Sequence, residues 1–128
     1  MRLLLDTHAF IWWDNEPEKL SRRVLELCQD SHNQVFLSVA SIWEIQIKLQ
    51  LGKIKLDVSL QEMVESQQEA NNLTILSVQA HHVFELAGLP DIHKDPFDRM
   101  IVAQTKTDGL RLLTHDPVMK KYPVIVDW

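Results

Sequence analysis

Five short runs rich in Leu, Ile and Val recur along this chain: Leu3 to Leu5, Val35 to Leu37, Leu73 to Leu76, Leu110 to Leu113 and Val124 to Val126. Longer segments of helical character separate most of them. Neighbouring strands that are joined through helices pair in parallel, because a hairpin leaves no room for a crossover helix. The expected fold is therefore α/β, with a central parallel sheet of about five strands flanked by helices. With 128 residues, 45% of them apolar, the chain can bury one core. Three glycines, five prolines, no repeat and no low-complexity linker make residues 1–128 a single compact domain.

Helix starts are well marked. Ser59 followed by Glu62 has the form of a capping box, Ser77 precedes a helical run, and Asp95-Pro96 and Asp116-Pro117 each place an N-cap before a proline. Gly109 supplies a stop. One stretch, EIQIKLQLGKIKL, is ambiguous. It alternates apolar and polar residues, as a β-hairpin turning near Gly52 would. Yet Ser41-x-x-Glu44 has capping-box form, and a helix from Ile42 would bury Ile42, Ile45 and Leu49 on one side. Periodicity leaves the two open.

The acids are distributed in a way that matters for chemistry. Asp6 ends the first strand, Glu44 lies six residues beyond Ser38 at the end of the second, Asp95 and Asp98 open a helix, and Asp116 follows the run LRLLT. In a parallel sheet the carboxyl ends of the strands and the starts of the next helices share one edge, where ligands bind. Two carboxylates 4 Å apart repel by roughly 4 kcal/mol at an effective dielectric near 20. A cluster of four would need cations, and Mg²⁺ or Mn²⁺ is the type that carboxylate oxygens hold. Each acid also has a local explanation: Asp6 or Thr7 as a helix cap, Glu44 in the box with Ser41, Asp98 in a first turn opened by Asp95, and Asp116 before Pro117. Capping leaves unexplained why acids recur after several strands.

The segments LLLDTHAFIW, SVASIWEIQIK, HKDPFDRMIVAQ and LLTHDPVMKKYPV resemble, in order and spacing, the signature segments of PIN-domain ribonucleases, and in particular the VapC-type toxins of bacterial toxin–antitoxin pairs. The likeness covers nearly the whole chain. It implies a PIN-like fold, a helix after Ser41, and metal-binding, catalytic acids at Asp6, Glu44, Asp98 and Asp116. Asp95 would be an auxiliary acid, and Thr114 would steady the last carboxylate. The implied activity is Mg²⁺- or Mn²⁺-dependent endoribonuclease cleavage of RNA phosphodiesters, with one or two ions bound. The implied partners are a cognate antitoxin protein and a second copy of the chain in a homodimer. Arg99 and Lys48 are candidate phosphate contacts, with ion-paired surface roles as the alternative. Met119 stands where relatives often carry an aromatic residue, a departure that bears on packing.

Other features constrain the function less. A net charge of −5 argues against a broad phosphate-binding face, unless cations offset the clustered acids. Ala9 to Trp13, the longest apolar run, is too short to span a bilayer, so a soluble cytoplasmic protein is expected with no membrane partner. Cys28 reads as a small buried hydrophobe. His8, His93 and His115 flank the acids but match no zinc spacing, and His81 and His82 look ordinary. Trp12, Trp13 and Trp43 read as core or interface residues in preference to base-stacking platforms, and Trp128 closes the chain after a strand. Two alternatives remain: a catalytically idle PIN-like binding module, and a receiver-like phosphoacceptor domain. The latter needs an Asp at the end of the third strand, where this chain has Ser77.

Overall fold

A computed structural model describes all 128 residues. Strands β1 (Arg2–Leu5), β2 (Gln34–Ser38), β3 (Thr74–Leu76), β4 (Arg111–Leu113) and β5 (Val126–Asp127) form one sheet in the order β3-β2-β1-β4-β5, with every pair parallel. Six helices connect them: α1 (Thr7–Asn15), α2 (Arg22–Gln29), α3 (Val39–Gln50), α4 (Leu60–Asn71), α5 (Ala80–Glu85) and α6 (Pro96–Thr107). This strand order differs from the 2-1-3-4-5 order of receiver domains, which removes that alternative.

The central strands are buried on both faces, so they read as continuous apolar runs. Leu3, Leu5, Val35, Leu37 and Leu113 point into one core layer with Phe10 and Trp13 of α1, Val24 and Leu27 of α2, and Met63 of α4. Leu4, Phe36 and Leu112 point into the other, against Ile101 and Val102 of α6 and against Met119 and Tyr122. Alternation within β1 thus assigns Leu4 to one layer and its neighbours to the other. Cys28 is buried, and burial pushes its thiol up to about 12, as an inert hydrophobe requires.

The ambiguous stretch is helical, and it begins earlier than the Ser41–Glu44 pattern suggests. Ser38 is the N-cap of α3, its hydroxyl accepting from the Ala40 amide at 3.0 Å, so Ser41 lies inside the first turn and Glu44 is no capping residue. Gly52 has φ +70 and closes the helix in a Schellman motif: the Lys53 amide reaches the Lys48 carbonyl at 2.9 Å and the Gly52 amide the Leu49 carbonyl at 3.1 Å. The glycine that looks like a hairpin turn is a helix stop. Gly109, with φ +63, ends α6 in the same way, through the Leu110 amide on the Thr105 carbonyl.

Three other local expectations shift. The cap of α5 is Gln79, in a reciprocal box with His82, and not Ser77. Asp116-Pro117 opens a turn leading to a short 3₁₀ segment at Met119–Lys121, with no α-helix. The last strand pairs at Val126–Asp127, two residues later than its most apolar run. There Asp127 is clamped by Arg23 and Arg111, each at 2.9 Å. No helix is long and apolar enough to cross a membrane.

Candidate active site

After β1 the chain turns outward through β2 to β3, then returns across β1 to place β4 on its other side. The direction of winding reverses between β1 and β4, which opens a crevice at their carboxyl ends. Asp6 and Thr114 sit at that point, one residue beyond β1 and β4 respectively, and both are buried.

Both oxygens of Asp6 are engaged. Oδ1 accepts from the Ala9 amide at 2.7 Å as the N-cap of α1, and Oδ2 accepts a short hydrogen bond from the Thr114 hydroxyl. Burial raises the Asp6 carboxyl above the ordinary range, a shift that these two bonds oppose and the charge of Asp116 reinforces. Thr114 also accepts from the Asp116 amide at 3.1 Å. The threonine therefore steadies the first carboxylate directly, and the last one only through its backbone. Asp116 in turn accepts from the Val118 amide at 2.9 Å through Oδ1.

Glu44, on the first half of α3, is also buried. The Thr7 hydroxyl donates to its Oε1 at 2.7 Å and hydrogen-bonds Ser41 at 3.0 Å, while Lys48 Nζ lies 3.0 Å from Oε2. Thr7 follows Asp6, so the two acids are joined through adjacent residues of α1. Asp98 stands in the first turn of α6, behind the N-cap Asp95, whose carboxylate accepts from the Phe97 and Asp98 amides. Burial first, then repulsion from Asp95 and Glu44, pushes the Asp98 carboxyl up to about 6. The structure thus gathers the five predicted acids, from four segments of chain, along one edge of the sheet.

Asp98 is held by a chain of bonds with a defined direction. Arginine can only donate, so Arg99 Nη1 donates to the Tyr122 hydroxyl at 3.2 Å. The buried phenol then gives its proton to His93 Nδ1 at 2.5 Å, and the network assigns the imidazole proton to Nε2, 3.2 Å from Asp98 Oδ2. Arg99 also donates to the carbonyls of Pro90, His93 and Leu86. Its guanidinium pins the loop that presents His93 through uncharged acceptors alone, whereas Lys48 is ion-paired with Glu44. No spacing signal links His93 to Tyr122, which lies 29 residues away.

Carboxylates that are buried or half-buried, mutually repulsive and held largely by uncharged donors form a donor set suited to a hard divalent cation. No three of them bring ligand atoms within 4.8 Å of one another. His81, His82 and Asp108 do reach that spacing. However, His82 Nδ1 accepts from the Gln79 amide at 2.9 Å, which leaves the ring proton on Nε2, donated to Asp108 Oδ2 at 2.9 Å. The nitrogen facing a metal would be the protonated one, so this group serves as a clamp between α5 and the end of α6. Burial opposes it, but the bonds from His82 and His81 hold Asp108 below the usual carboxylate range.

The PIN-domain family model matches residues 3–125. The chain belongs to the PIN-domain family. Its PIN fold is 25% identical over 121 residues to Ribonuclease VapC22 of Mycobacterium tuberculosis, covering 94% of this chain and 91% of that protein. Among solved structures it superposes on VapBC2 from Rickettsia felis bound to a promoter DNA fragment, with TM-score 0.75, 19% identity, and 99% and 98% of the two chains covered. DNA-bound VapBC from Salmonella typhimurium gives TM-score 0.68 at 14% identity, covering 99% and 97%. At those identities the structural matches establish the PIN architecture and no more.

Proposed function

We propose that this PIN domain is a divalent-metal-dependent endoribonuclease that acts as the toxin of a toxin–antitoxin pair in the cytoplasm. The observation that supports this is the mutual repulsion of Asp6 with Asp116 and of Asp98 with Glu44, the two pairs linked where Thr7, next to Asp6, donates to Glu44. These four residues would hold Mg²⁺ or Mn²⁺, with Asp95 as an auxiliary acid. When bound, such an ion polarises the phosphodiester and lowers the pKa of water for hydrolysis. The protein's part is orientation. Thr114 and the Ala9 amide fix both oxygens of Asp6, Thr7 and Lys48 fix those of Glu44, and His93 fixes one oxygen of Asp98. No side-chain nucleophile is required.

The curated relative is named a ribonuclease and the solved neighbours are VapBC complexes, which supports the nuclease and the antitoxin parts of the proposal. An acidic crevice would attract an Arg or Lys from an antitoxin. A homodimer is supported by an apolar groove of about 390 Å³ between α3 and α6, lined by Val39, Trp43, Leu86, Phe97 and Met100. There Trp43, expected to be a core or interface residue, is 63% exposed and meets Phe97 edge to face at 5.3 Å.

The test is cleavage of a labelled single-stranded RNA by purified, antitoxin-free protein with Mg²⁺ or Mn²⁺, beside EDTA and Asp98→Asn. Metal-dependent cutting that the variant lacks is the expected result. Equal cutting by both proteins would mean a contaminant or the wrong acids, and no cutting by folded protein would favour the idle binding module.

A further inference from the structure

Beside the acids lies an open recess of about 290 Å³, lined by Asp6, His8, Trp12, His115, Asp116 and Pro117. Its lining combines two carboxylates with an indole and two imidazoles. His8 and Trp12 stand four residues apart on one face of α1, their rings 5.9 Å apart, while Ala9, Phe10 and Trp13 take the buried face. Trp128 meets Trp12 edge-on at 5.9 Å, and His115 lies over Trp128 at 5.2 Å. The expectation that Trp12 belongs to the core is met only in part: it is half-buried, backed by the core, and turned toward the recess. His8 and His115 are exposed.

We propose that this recess is a nucleobase subsite, which takes the unstacked base of a single-stranded RNA nucleotide next to the bond being cut. The inference rests on the ribonuclease proposal above and adds how substrate is held. The volume suits a single nucleotide and not a duplex. Every base offers a π-face to an indole or imidazole, so stacking grips single strands without demanding one sequence. Asp6 and Asp116 line the same recess as Trp12, so a base stacked there lies beside two of the proposed metal acids. An arginine from a protein partner could also stack on an indole. Lys19 Nζ, 5.8 Å from the Trp12 ring, is paired with Glu16 at 2.9 Å, and Asp6 and Asp116 would draw a guanidinium, so an arginine is the competing occupant that the experiment must separate from a base.

The experiment measures binding without turnover, in the Asp98→Asn background with Mg²⁺. The probes are a fluorescein-labelled single-stranded RNA dodecamer and an abasic ribose-phosphate dodecamer of equal charge. The RNA should bind roughly 5- to 150-fold tighter than the abasic chain, the range that stacking of a single base gives. Trp12→Ala should bring that ratio close to one, Trp12→Phe should retain most of it, and the exposed His115→Ala should lower it with no change in thermal stability. The ratio is insensitive to partial unfolding, which weakens both probes alike. An unchanged ratio in Trp12→Ala, or equal binding of both probes by the parent, overturns the subsite. So does Trp12-dependent binding of an arginine-containing peptide where neither nucleic-acid probe binds, which would assign the recess to a protein partner. The cleavage assay separates the two proposals. A Trp12-dependent preference in a protein that cuts no RNA leaves the subsite standing without the nuclease, and cutting without that preference does the reverse.

Discussion

Replacing Asp98 by Asn should stabilise the metal-free protein at neutral pH while removing its activity. In the folded chain the carboxyl of Asp98 is pushed up to about 6 from an ordinary 3.8. At about 1.4 kcal/mol per pKa unit, ionising it in the folded state costs about 3 kcal/mol more than in the unfolded chain. The side chain keeps 22% of its surface in water, and screening brings the expected gain on substitution to about 1–2 kcal/mol. Asparagine has the same shape, keeps an oxygen for His93 Nε2, and carries no charge to repel Asp95 and Glu44.

The sign follows from linkage. Below about pH 4 the carboxyl is protonated in both states and its contribution is fully present. As pH rises toward 6 the folded state retains a proton that the unfolded state has released, so stability is lost. Thermal melts in EDTA from pH 4 to 8 should therefore show two curves that coincide at the acid end. They should separate above it, until Asp98→Asn melts about 3–8 °C higher at pH 7.5. Saturating Mn²⁺ should reverse the order. A ligand at a hundredfold excess over its Kd adds about 2.7 kcal/mol, and only the wild type has the full site. A variant less stable than wild type in EDTA at pH 7.5, or a gap that does not vary with pH, would refute the account of Asp98.

Thr114→Val keeps the shape of a fully buried side chain but removes the hydroxyl that serves Asp6 and the Asp116 amide. Urea denaturation should show a loss of about 2–4 kcal/mol, with cleavage reduced in protein that remains folded. Tyr122→Phe breaks the chain from Arg99 to His93; a loss of about 1–2 kcal/mol is expected, and nitrogen NMR of His93 should show the Nδ1 resonance shift as it loses its hydrogen-bond donor, while Nε2, still bonded to Asp98, keeps its proton. Gly109→Ala meets no atom within 4 Å but places a side chain at φ +63, so it should cost about 1 kcal/mol and leave cleavage unchanged.

What the residues disclose locally is what short-range physics decides. Leu3 to Leu5 and Val35 to Leu37 read as strands because both faces are buried, and Asp95-Pro96 reads as a helix start because the cap and its amides lie within three residues. The start of α3 is harder to see. Ile45, Ile47 and Leu49 alternate like a strand, yet Ile45 alone is fully buried and the other two are half-covered on neighbouring faces of the helix. A period of two and a helix apolar on several sides give the same string. The choice is made by Ser38 and Gly52 at the ends, not by the residues between. The last strand is set by the distant Arg23 and Arg111 on Asp127, and the Tyr122–His93 bond spans two loops; neither leaves a local pattern.

Capping and ion binding are compatible explanations of the acids. An N-cap fixes a carboxylate at the positive end of a helix, which offsets part of its repulsion from neighbouring acids and points it along the sheet edge. Asp6 and Asp95 each accept from backbone amides in this way, and Asp116 accepts from the Val118 amide in a turn, so all three are tethered by the fold itself. Glu44 and Asp98 have no amide donor. They depend on side chains alone: Thr7 and Lys48 for one, His93 for the other. Asp98 is raised first by burial and then by the charges of Asp95 and Glu44, with only His93 opposing them. A residue kept where it destabilises the apo chain needs an offsetting interaction, and the proposed cation is the one its surroundings fit.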